Sequence, residues 1–568
     1  MSEQAKYSRL FEPYRLGSLA LKNRIVMPAM AVAFASDEGH VTKRLLHYFT
    51  ARARGGVGFI IVGYTSVDYR RGRTGPNKLS IDDDRCIPGL SQLVETVHGE
   101  GLKVAVQLNH GGGYSPSSLT GLQPVAPSAV FCRPGGDLPH PLTEAEIEEI
   151  VGRFAAAAGR AVKAGFDALE IHAASGYLIN QFLSPSRNKR QDKYGGSLEN
   201  RARFLLEIVG AIRQKMGKGY PLSVRINGSE YGIPGGITVD NAVALAVLLE
   251  KAGVDAVNVT YFGARYPFVE TEEPDGSFIP LAAAVKKAVK VPVIAVGRIS
   301  PRLGEEVLRE GKADLVAIGR ALLADPELPL KAFAGREEDI NPCITCRYCG
   351  FLTPHGETGC MVNPVLGREG DFNLRRTEKV KRVLVVGGGP AGMQAARVAA
   401  LRGHEVTLVE KGQRLGGLLH TASRVPGYSR IADLARYSAR QVEKAGVKVE
   451  RGRAVTAATL EAIKPDAVVL ATGARITLVR RVIAGMVLFL ARMGYPGIQD
   501  KGLLLKSPTK RRQILGVQTP LLAAARPNQE LLSLVRGRVD EVYLAGDCLE
   551  PSGIMQALTD GERIGHSL

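Results

Sequence analysis

Cys343-Ile344-Thr345-Cys346-Arg347-Tyr348-Cys349, then ten residues, then Cys360-Met361-Val362-Asn363-Pro364: this stretch divides the chain. The residues N-terminal to it read as one complete domain and those C-terminal to it as another. Four thiolates at such spacing can hold a cubane iron–sulfur cluster. Zinc also accepts four cysteines, but its sites more often pair two separated Cys-x-x-Cys knuckles. Here three cysteines crowd into seven residues and the fourth stands apart, which favours the cluster. The bland alternative is four buried or disulfide-bonded cysteines.

The chain has 568 residues, enough for two or three domains with large cores. Cys86, Cys132 and Cys548 are scattered and are expected to be reduced. The N-terminal MSEQAKYSRLFEPYRL has no apolar centre and does not read as a signal peptide. The apolar run Val482–Ala491 is too short to span a bilayer. A cytoplasmic protein is therefore expected, with no membrane contact. The formal charge of +18 admits nucleic acid or an acidic surface as partner. Anionic cofactors and a solvated basic surface account for it more simply, so no nucleic-acid partner is expected.

Residues 1–340 alternate short apolar runs with helical patterns, the signature of βα units. Eight runs read as strands: 24–30, 57–67, 103–110, 168–174, 222–227, 256–262, 291–299 and 315–320. Between them, Thr143–Ala164 is the clearest helix. Thr143 is placed as N-cap and Glu146 three residues on completes a capping box. Eight such repeats predict a closed (β/α)8 TIM barrel, whose active site lies at the C-terminal strand ends.

Those ends carry a consistent set. The first is Pro28-Ala29-Met30-Ala31, and the third is Gln107-Leu108-Asn109-His110. The fourth runs from His172 to Tyr177, and the fifth strand contains Arg225. The seventh and eighth close on Gly297-Arg298 and Gly319-Arg320. Glycines beside arginines at those two ends build a phosphate cradle from open N–H groups and fixed positive charge. Gln107 can meet a pyrimidine-like ring with a donor and an acceptor. Arg225 can stand where a reduced flavin becomes anionic. Singly each is better read as a loop or core residue; together they favour a phosphorylated flavin.

These residues resemble the old yellow enzyme family of FMN-dependent ene-reductases. The resemblance rests on Leu21 to Met27, on Gln107 to Gly112, on Glu170 to Pro185 (EIHAASGYLINQFLSP), and on Asn188 to Arg201. With the cysteine stretch and the C-terminal domain, the chain is similar to the larger iron–sulfur branch. That branch includes 2,4-dienoyl-CoA reductase, 2-enoate reductases and trimethylamine dehydrogenase. The resemblance implies FMN held at Pro28, Ala29, Met30, Ala31, Tyr64, Gln107 and Arg225, with its phosphate at Gly297, Arg298, Gly319 and Arg320. It implies a 4Fe–4S cluster on Cys343, Cys346, Cys349 and Cys360. It also implies hydride transfer from reduced flavin to the β-carbon of an activated alkene. Tyr177 matches the family's proton donor, and His172 matches a residue that polarises the substrate carbonyl.

The departures carry information. Ser175 stands where many members have a second His or Asn, and a hydroxyl is a weaker oxyanion donor. Ala31 replaces the Cys or Thr of relatives, so FMN is expected to be non-covalent. Phe262 occupies the place of a histidine in the dienoyl-CoA enzyme. The chain has no Trp, which argues against an aromatic cage for trimethylamine. Tyr64, Tyr261 and Tyr266 are candidates to line the substrate pocket.

After a linker, Lys381–Val386 reads as a buried strand entering Gly387-Gly388-Gly389-Pro390-Ala391-Gly392, a helix, and a second strand ending in Glu410. In that context the glycines predict a dinucleotide site. Ala471-Thr472-Gly473 and the later Ala545-Gly546-Asp547 favour FAD over NAD. The resemblance carries FAD contacts onto Gly387, Gly389, Gly392, Glu410, Gly417, Gly473 and Asp547. Relatives insert an NAD(P)H unit between those points; here about 70 residues separate Gly473 from Gly546 and no second glycine fingerprint appears. From Arg475 to Arg512 nine Lys or Arg face a single Asp. That segment could dock an acidic electron-transfer partner or take the 2′-phosphate of NADPH; a shortened solvated connection is the simpler reading.

The expectation is an α/β chain of three parts: FMN barrel at 1–340, cluster segment and linker at 341–376, and a Rossmann-like FAD domain at 377–568. Within the last, 475–540 is an abridged basic segment, so the NAD(P)H subdomain is shortened or missing. The expected activity is reduction of a C=C bond conjugated to a carbonyl in an enoate, enoyl-thioester or enone. The alternatives are an amine or related dehydrogenase passing electrons outward through the cluster, and an electron-transfer subunit of a larger complex. A homo-oligomer is expected.

Overall fold

The structure is a computed structural model that describes residues 6–263, 274–352, 358–372, 374–424, 427–476, 525–550 and 553–568. Tyr266 and most of the basic segment lie outside the described residues.

Eight parallel strands form the barrel: β1 (Ile25–Met27), β2 (Phe59–Ser66), β3 (Lys103–Asn109), β4 (Ala168–Ala173), β5 (Leu222–Tyr231), β6 (Ala256–Gly263), β7 (Val293–Val296) and β8 (Leu315–Ala317). They pair in chain order, and β1 pairs with both β2 and β8, which closes the cylinder. Every residue of β2 and β4 is buried. Burial on both faces is why these strands read as unbroken apolar runs. The last two strands are shorter than the sequence predicts. At Gly319 the backbone leaves the extended conformation, and Arg320–Ala324 turns helical.

The barrel is stoppered at its N-terminal end. A hairpin, Tyr14–Leu16 with Leu19–Leu21, sets Leu16, Leu19 and Leu21 into one cluster with Phe59, Ile61, Ala105, Ala168, Ile294 and Leu315. Each buried leucine contributes roughly 1.5–3 kcal/mol. That apolar floor leaves the opposite mouth for polar chemistry. The helix Glu144–Lys163 has Thr143 as N-cap, and both bonds of the capping box with Glu146 are present.

The second unit is a five-stranded parallel sheet: β9 (Arg382–Val386), β10 (Glu405–Glu410), β11 (Lys448–Arg451), β12 (Ala467–Leu470) and β13 (Glu541–Leu544), in the order β11-β10-β9-β12-β13. Its first turn needs its glycines. A Cβ on Gly392 would fall 1.9 Å from the Gly387 carbonyl oxygen, and one on Gly387, at φ +107°, 2.4 Å from that of Ala471. The C-terminal helix Ile554–Ser567 lies on the helix Pro390–Leu401, and Gly561 and Gly565 let the two approach closely.

The cysteine segment joins the two units. Ile344 and Val362 are buried in the second core together with Ala324 of the barrel side. Asn341 donates to the carbonyls of Ala324 (3.1 Å) and Val362 (2.9 Å). The backbone N–H of Ala33 donates to Thr358 Oγ1 (3.1 Å), tying the loop after β1 to this segment. Across the junction Arg430 pairs with Asp275, and Lys444 with Asp339.

Candidate active site

Strand register sets the polar layer of the barrel mouth. Gln107 on β3 faces Glu170 on β4, and Arg225 on β5 faces both His172 on β4 and Asn258 on β6. Glu170 is fully buried. Its carboxylate accepts from Gln107 Nε2 at 2.7 Å and from Asn258 Nδ2 at 2.8 Å. Burial pushes its pKa up, against the opposing pull of Arg225 and of these amides. The bond to Glu170 fixes Gln107 and leaves its amide oxygen to accept from a ligand. Arg225 donates to Thr260 Oγ1 at 3.3 Å, while its Nε is buried with no partner among the described residues. A buried donor left unmade is costly, and it marks where a ligand acceptor fits.

His172 and Tyr177 meet above this layer. Their rings stand edge to face with centroids 5.0 Å apart. His172 Nδ1 accepts from the Ala174 N–H at 3.4 Å, so the proton of the neutral ring sits on Nε2. Burial, and then the charge of Arg225, holds its pKa well below the usual histidine value. The ring is therefore a neutral donor rather than a cation. The loop leading to Tyr177 passes through Ser175 at φ +61° and Gly176 at φ +80°. It is pinned by Ser175 N to Asn227 Oδ1 (3.1 Å), Gly176 N to Asn180 Oδ1 (2.7 Å) and Gln181 Nε2 to the Gly176 carbonyl (2.7 Å). Burial raises the Tyr177 pKa, which keeps the phenol protonated near neutrality. The Tyr64 ring lies 5.3 Å from that of Tyr177, and its hydroxyl bonds to Thr74 Oγ1.

A cavity of about 430 Å³ opens beside Tyr64 and Tyr177; His172, Gln107 and Arg225 lie behind its lining. Met30, Ala31, Tyr64, Tyr177, Tyr261 and Arg320 line it, and so do Lys78, Arg347 and Cys349. Lys78 had no sequence signal. It is 3% exposed, donates to the Ala31 carbonyl at 3.1 Å, and is lowered to a pKa of about 7 by burial. Gly297, Arg298, Gly319 and Arg320 line a second cavity of about 360 Å³ at the ends of β7 and β8. Pro28 is buried; a Cβ on Gly319 would lie 3.4 Å from its ring and from the Met30 sulfur. Ala29 packs on the barrel floor cluster.

The four cysteines of the dividing stretch are in no disulfide among the described residues and lie half-buried between the two cores. Burial pushes Cys346 up to about 12 and Cys360 well above the usual thiol range, and neighbouring cysteines of the set add to both. Among the described residues no group of three or more His, Cys, Asp or Glu side chains is arranged around a single metal ion. Between the cysteines Thr345 and Arg347 adopt φ +54° and +57°, a conformation non-glycine residues rarely take.

In the second unit a cavity of about 460 Å³ is lined by Gly387, Gly389, Glu410, Gly417, Gly473 and Asp547. Glu410 is oriented by the N–H groups of Gly388 (2.7 Å) and Gly412 (2.6 Å). Gly392 does not line this cavity; it lets the helix pack on the turn. Asn528 and Lys411 line it as well and were not anticipated.

Residues 9–339 match the NADH:flavin oxidoreductase / NADH oxidase family, and residues 381–503 match the pyridine nucleotide-disulphide oxidoreductase family. The chain is 45% identical to the NADH oxidase of Thermoanaerobacter brockii, over 82% of this chain and 73% of that protein. It is 35% identical to the cinnamate reductase of Clostridium sporogenes, over 82% and 74%. A solved complex of 2-naphthoyl-CoA reductase superposes with a TM-score of 0.90 at 28% identity, covering 99% of this chain and 100% of that one.

Proposed function

The chain belongs to the NADH:flavin oxidoreductase / NADH oxidase family and is a flavin-dependent oxidoreductase, and on that premise we propose that it reduces a C=C bond conjugated to a carbonyl. The observation that carries this is the pairing of His172 with Tyr177 at the barrel mouth: a neutral N–H donor and a protonated phenol on rings whose centroids lie 5.0 Å apart. FMN, when bound and reduced, would supply a hydride to the β-carbon of the alkene. His172 Nε2–H receives the carbonyl oxygen and strengthens its bond as charge develops there. Tyr177 holds a proton at its hydroxyl and delivers it to the α-carbon. Gln107 and Arg225, anchored by Glu170 and Thr260, hold the flavin ring. The glycines and arginines after β7 and β8 hold its phosphate.

Gly387, Gly389, Glu410, Gly417, Gly473 and Asp547 would hold FAD, the glycines by close backbone approach. Cys343, Cys346, Cys349 and Cys360 would hold a 4Fe–4S cluster, which passes single electrons. The left-handed turns at Thr345 and Arg347 support that reading. They wind the chain tightly between successive cysteines at a cost in backbone strain that an ordinary loop would avoid. We also retain the division at 1–340, 341–376 and 377–568. The cavity chemistry favours an alkene over an amine: Lys78, Arg320 and Arg347 line it, and no carboxylate does among the described residues.

The test is anaerobic turnover with cinnamate, crotonate, an enoyl-thioester and cyclohexenone, with NADH, NADPH or dithionite as reductant. Saturated product is expected from at least one alkene. Bleaching of the flavin by amines alone, with every alkene untouched, would sink the proposal.

A further inference from the structure

The phosphate cavity of the barrel is not lined by the barrel alone. Arg430 and Asp433 of the second unit line it together with Arg298 and Arg320. One carboxylate oxygen connects the two sides. Asp275 Oδ1 lies 2.7 Å from Arg430 Nη2 and 3.7 Å from Arg298 Nε. Arg298 is held further by its own bond to the Pro274 carbonyl at 3.2 Å, and the Gly276 N–H returns a bond to the Arg298 carbonyl, also 3.2 Å. The Arg298 side chain is only 9% exposed, whereas Asp275 and Arg430 are about a third exposed, at 37% and 33%.

We propose that Asp275 is a shared clamp, orienting Arg298 toward the flavin phosphate and holding Arg430 over the same cavity, so that FMN occupancy and docking of the second unit are coupled. The proposal rests on the placement of FMN given above. The charges explain the arrangement. Arg298, Arg302, Arg320 and Arg430 line this cavity, and so do the carboxylates Asp275, Asp433 and Glu337. Glu337 is paired with Lys6 at 2.6 Å, and Asp433 with Arg436. Among the described residues Asp275 is the carboxylate of this lining that lies within 4 Å of two of its guanidinium groups, Arg430 and Arg298. A phosphomonoester carries about −1.5 to −2 charges near neutrality and takes up such guanidinium groups well. Without the phosphate, Asp275, about a third exposed, is the anion these two cations share, a weak surface-type link. When it is present, they share a second anion and the junction tightens. Linkage requires the effect to be mutual: whatever FMN adds to docking, docking adds to FMN affinity.

The test uses the full-length holoenzyme and Arg430→Ala, Asp275→Ala, Arg430→Lys and Arg298→Ala. The first readout is the rate of FMN release into flavin-free buffer, followed by fluorescence, with the released flavin identified by chromatography. The second is the rate of trypsin cleavage in the linker that carries the exposed Leu374 and Val380, for FMN-loaded and FMN-stripped protein. We expect release to quicken about ten-fold in Arg430→Ala and Asp275→Ala, the scale of a modest coupling. FMN should slow cleavage of the parent protein and fail to slow it in Arg430→Ala. Arg430→Lys, which keeps the charge and so guards against a variant that misfolds, should recover most of both effects. Release from Arg430→Ala and Asp275→Ala within two-fold of the parent overturns the clamp, even if Arg298→Ala releases FMN quickly. If Arg298→Ala also leaves release unchanged, the phosphate placement itself is wrong.

Discussion

The rings of Tyr177 and His172 meet in a T-shaped contact, with centroids 5.0 Å apart and planes at 80°. The two side chains come from different devices. His172 is fixed within a strand whose every residue is buried, and Tyr177 sits at the start of a short helix after two left-handed residues. A strand residue and a loop residue held this way can act on the two ends of one C=C–C=O unit.

That relationship divides the two half-reactions. Tyr177→Phe keeps the ring and its packing but removes the transferable proton. Steady-state alkene reduction should fall by about 10²–10⁴-fold, the usual worth of a positioned acid. Reduction of the flavin by the electron donor should be unchanged, as rapid-mixing absorbance will show. His172→Ala should lower alkene reduction too, without making the rate more pH-dependent. Because burial keeps His172 neutral, no titration of it belongs in the profile between about pH 6 and 8. A profile that climbs as pH falls through the ordinary histidine range, and flattens in His172→Ala, would count against the neutral donor.

Glu170 is the keystone of the flavin-facing layer. It accepts from Gln107 and Asn258, and its charge faces Arg225. Glu170→Gln would set a donor amide against a donor amide at one end and leave Arg225 without its counter-charge. The expected cost is about 3–5 kcal/mol, the range for breaking a buried pair from one side. Denaturant unfolding measures it. Glu170→Gln should also weaken FMN retention, since both side chains proposed to meet the flavin ring lose their anchor.

The sequence exposed what short-range physics dictates. All eight barrel strands were legible because strands buried on both faces leave unbroken apolar runs. The turn at Gly387 was legible because two of its glycines occupy positions that no side chain fits. The hairpin under the barrel was not, since strands of three residues show no period. Lys78 was missed because its burial comes from elements distant in the chain. The Arg430–Asp275 pair was missed because its partners are 155 positions apart. Glu170 opens the stretch Glu170 to Pro185 that resembles the family. Its role needed the register that places Gln107 opposite it.

The cysteine segment makes a compositional prediction. If the four thiols hold a cubane, anaerobically purified protein should carry about four iron and four sulfide per chain and no stoichiometric zinc. Cys360→Ser should lose that iron while the barrel keeps its FMN, because the barrel closes through its own strand pairings, β1 with β2 and β8. Metal analysis with visible absorbance decides it. One zinc per chain in the parent protein would return the segment to the structural reading that its spacing left open.

Lys78 gives a stability prediction with a definite sign. Its folded pKa is lowered to about 7 by burial, against 10.5 for the free side chain. Between those values the unfolded chain binds the proton and the folded chain does not. Stability from this group therefore rises with pH across the window and is lowest below about pH 7, where the folded protein must bury the charge. Lys78→Met removes that penalty. It should raise the melting temperature at pH 6, by an amount equivalent to a few kcal/mol, and change it little at pH 10. Melting curves at the two pH values are sufficient. An equal effect at both would mean that Lys78 is charged throughout and that its ammonium is stabilised where it lies, beside the Ala31 carbonyl.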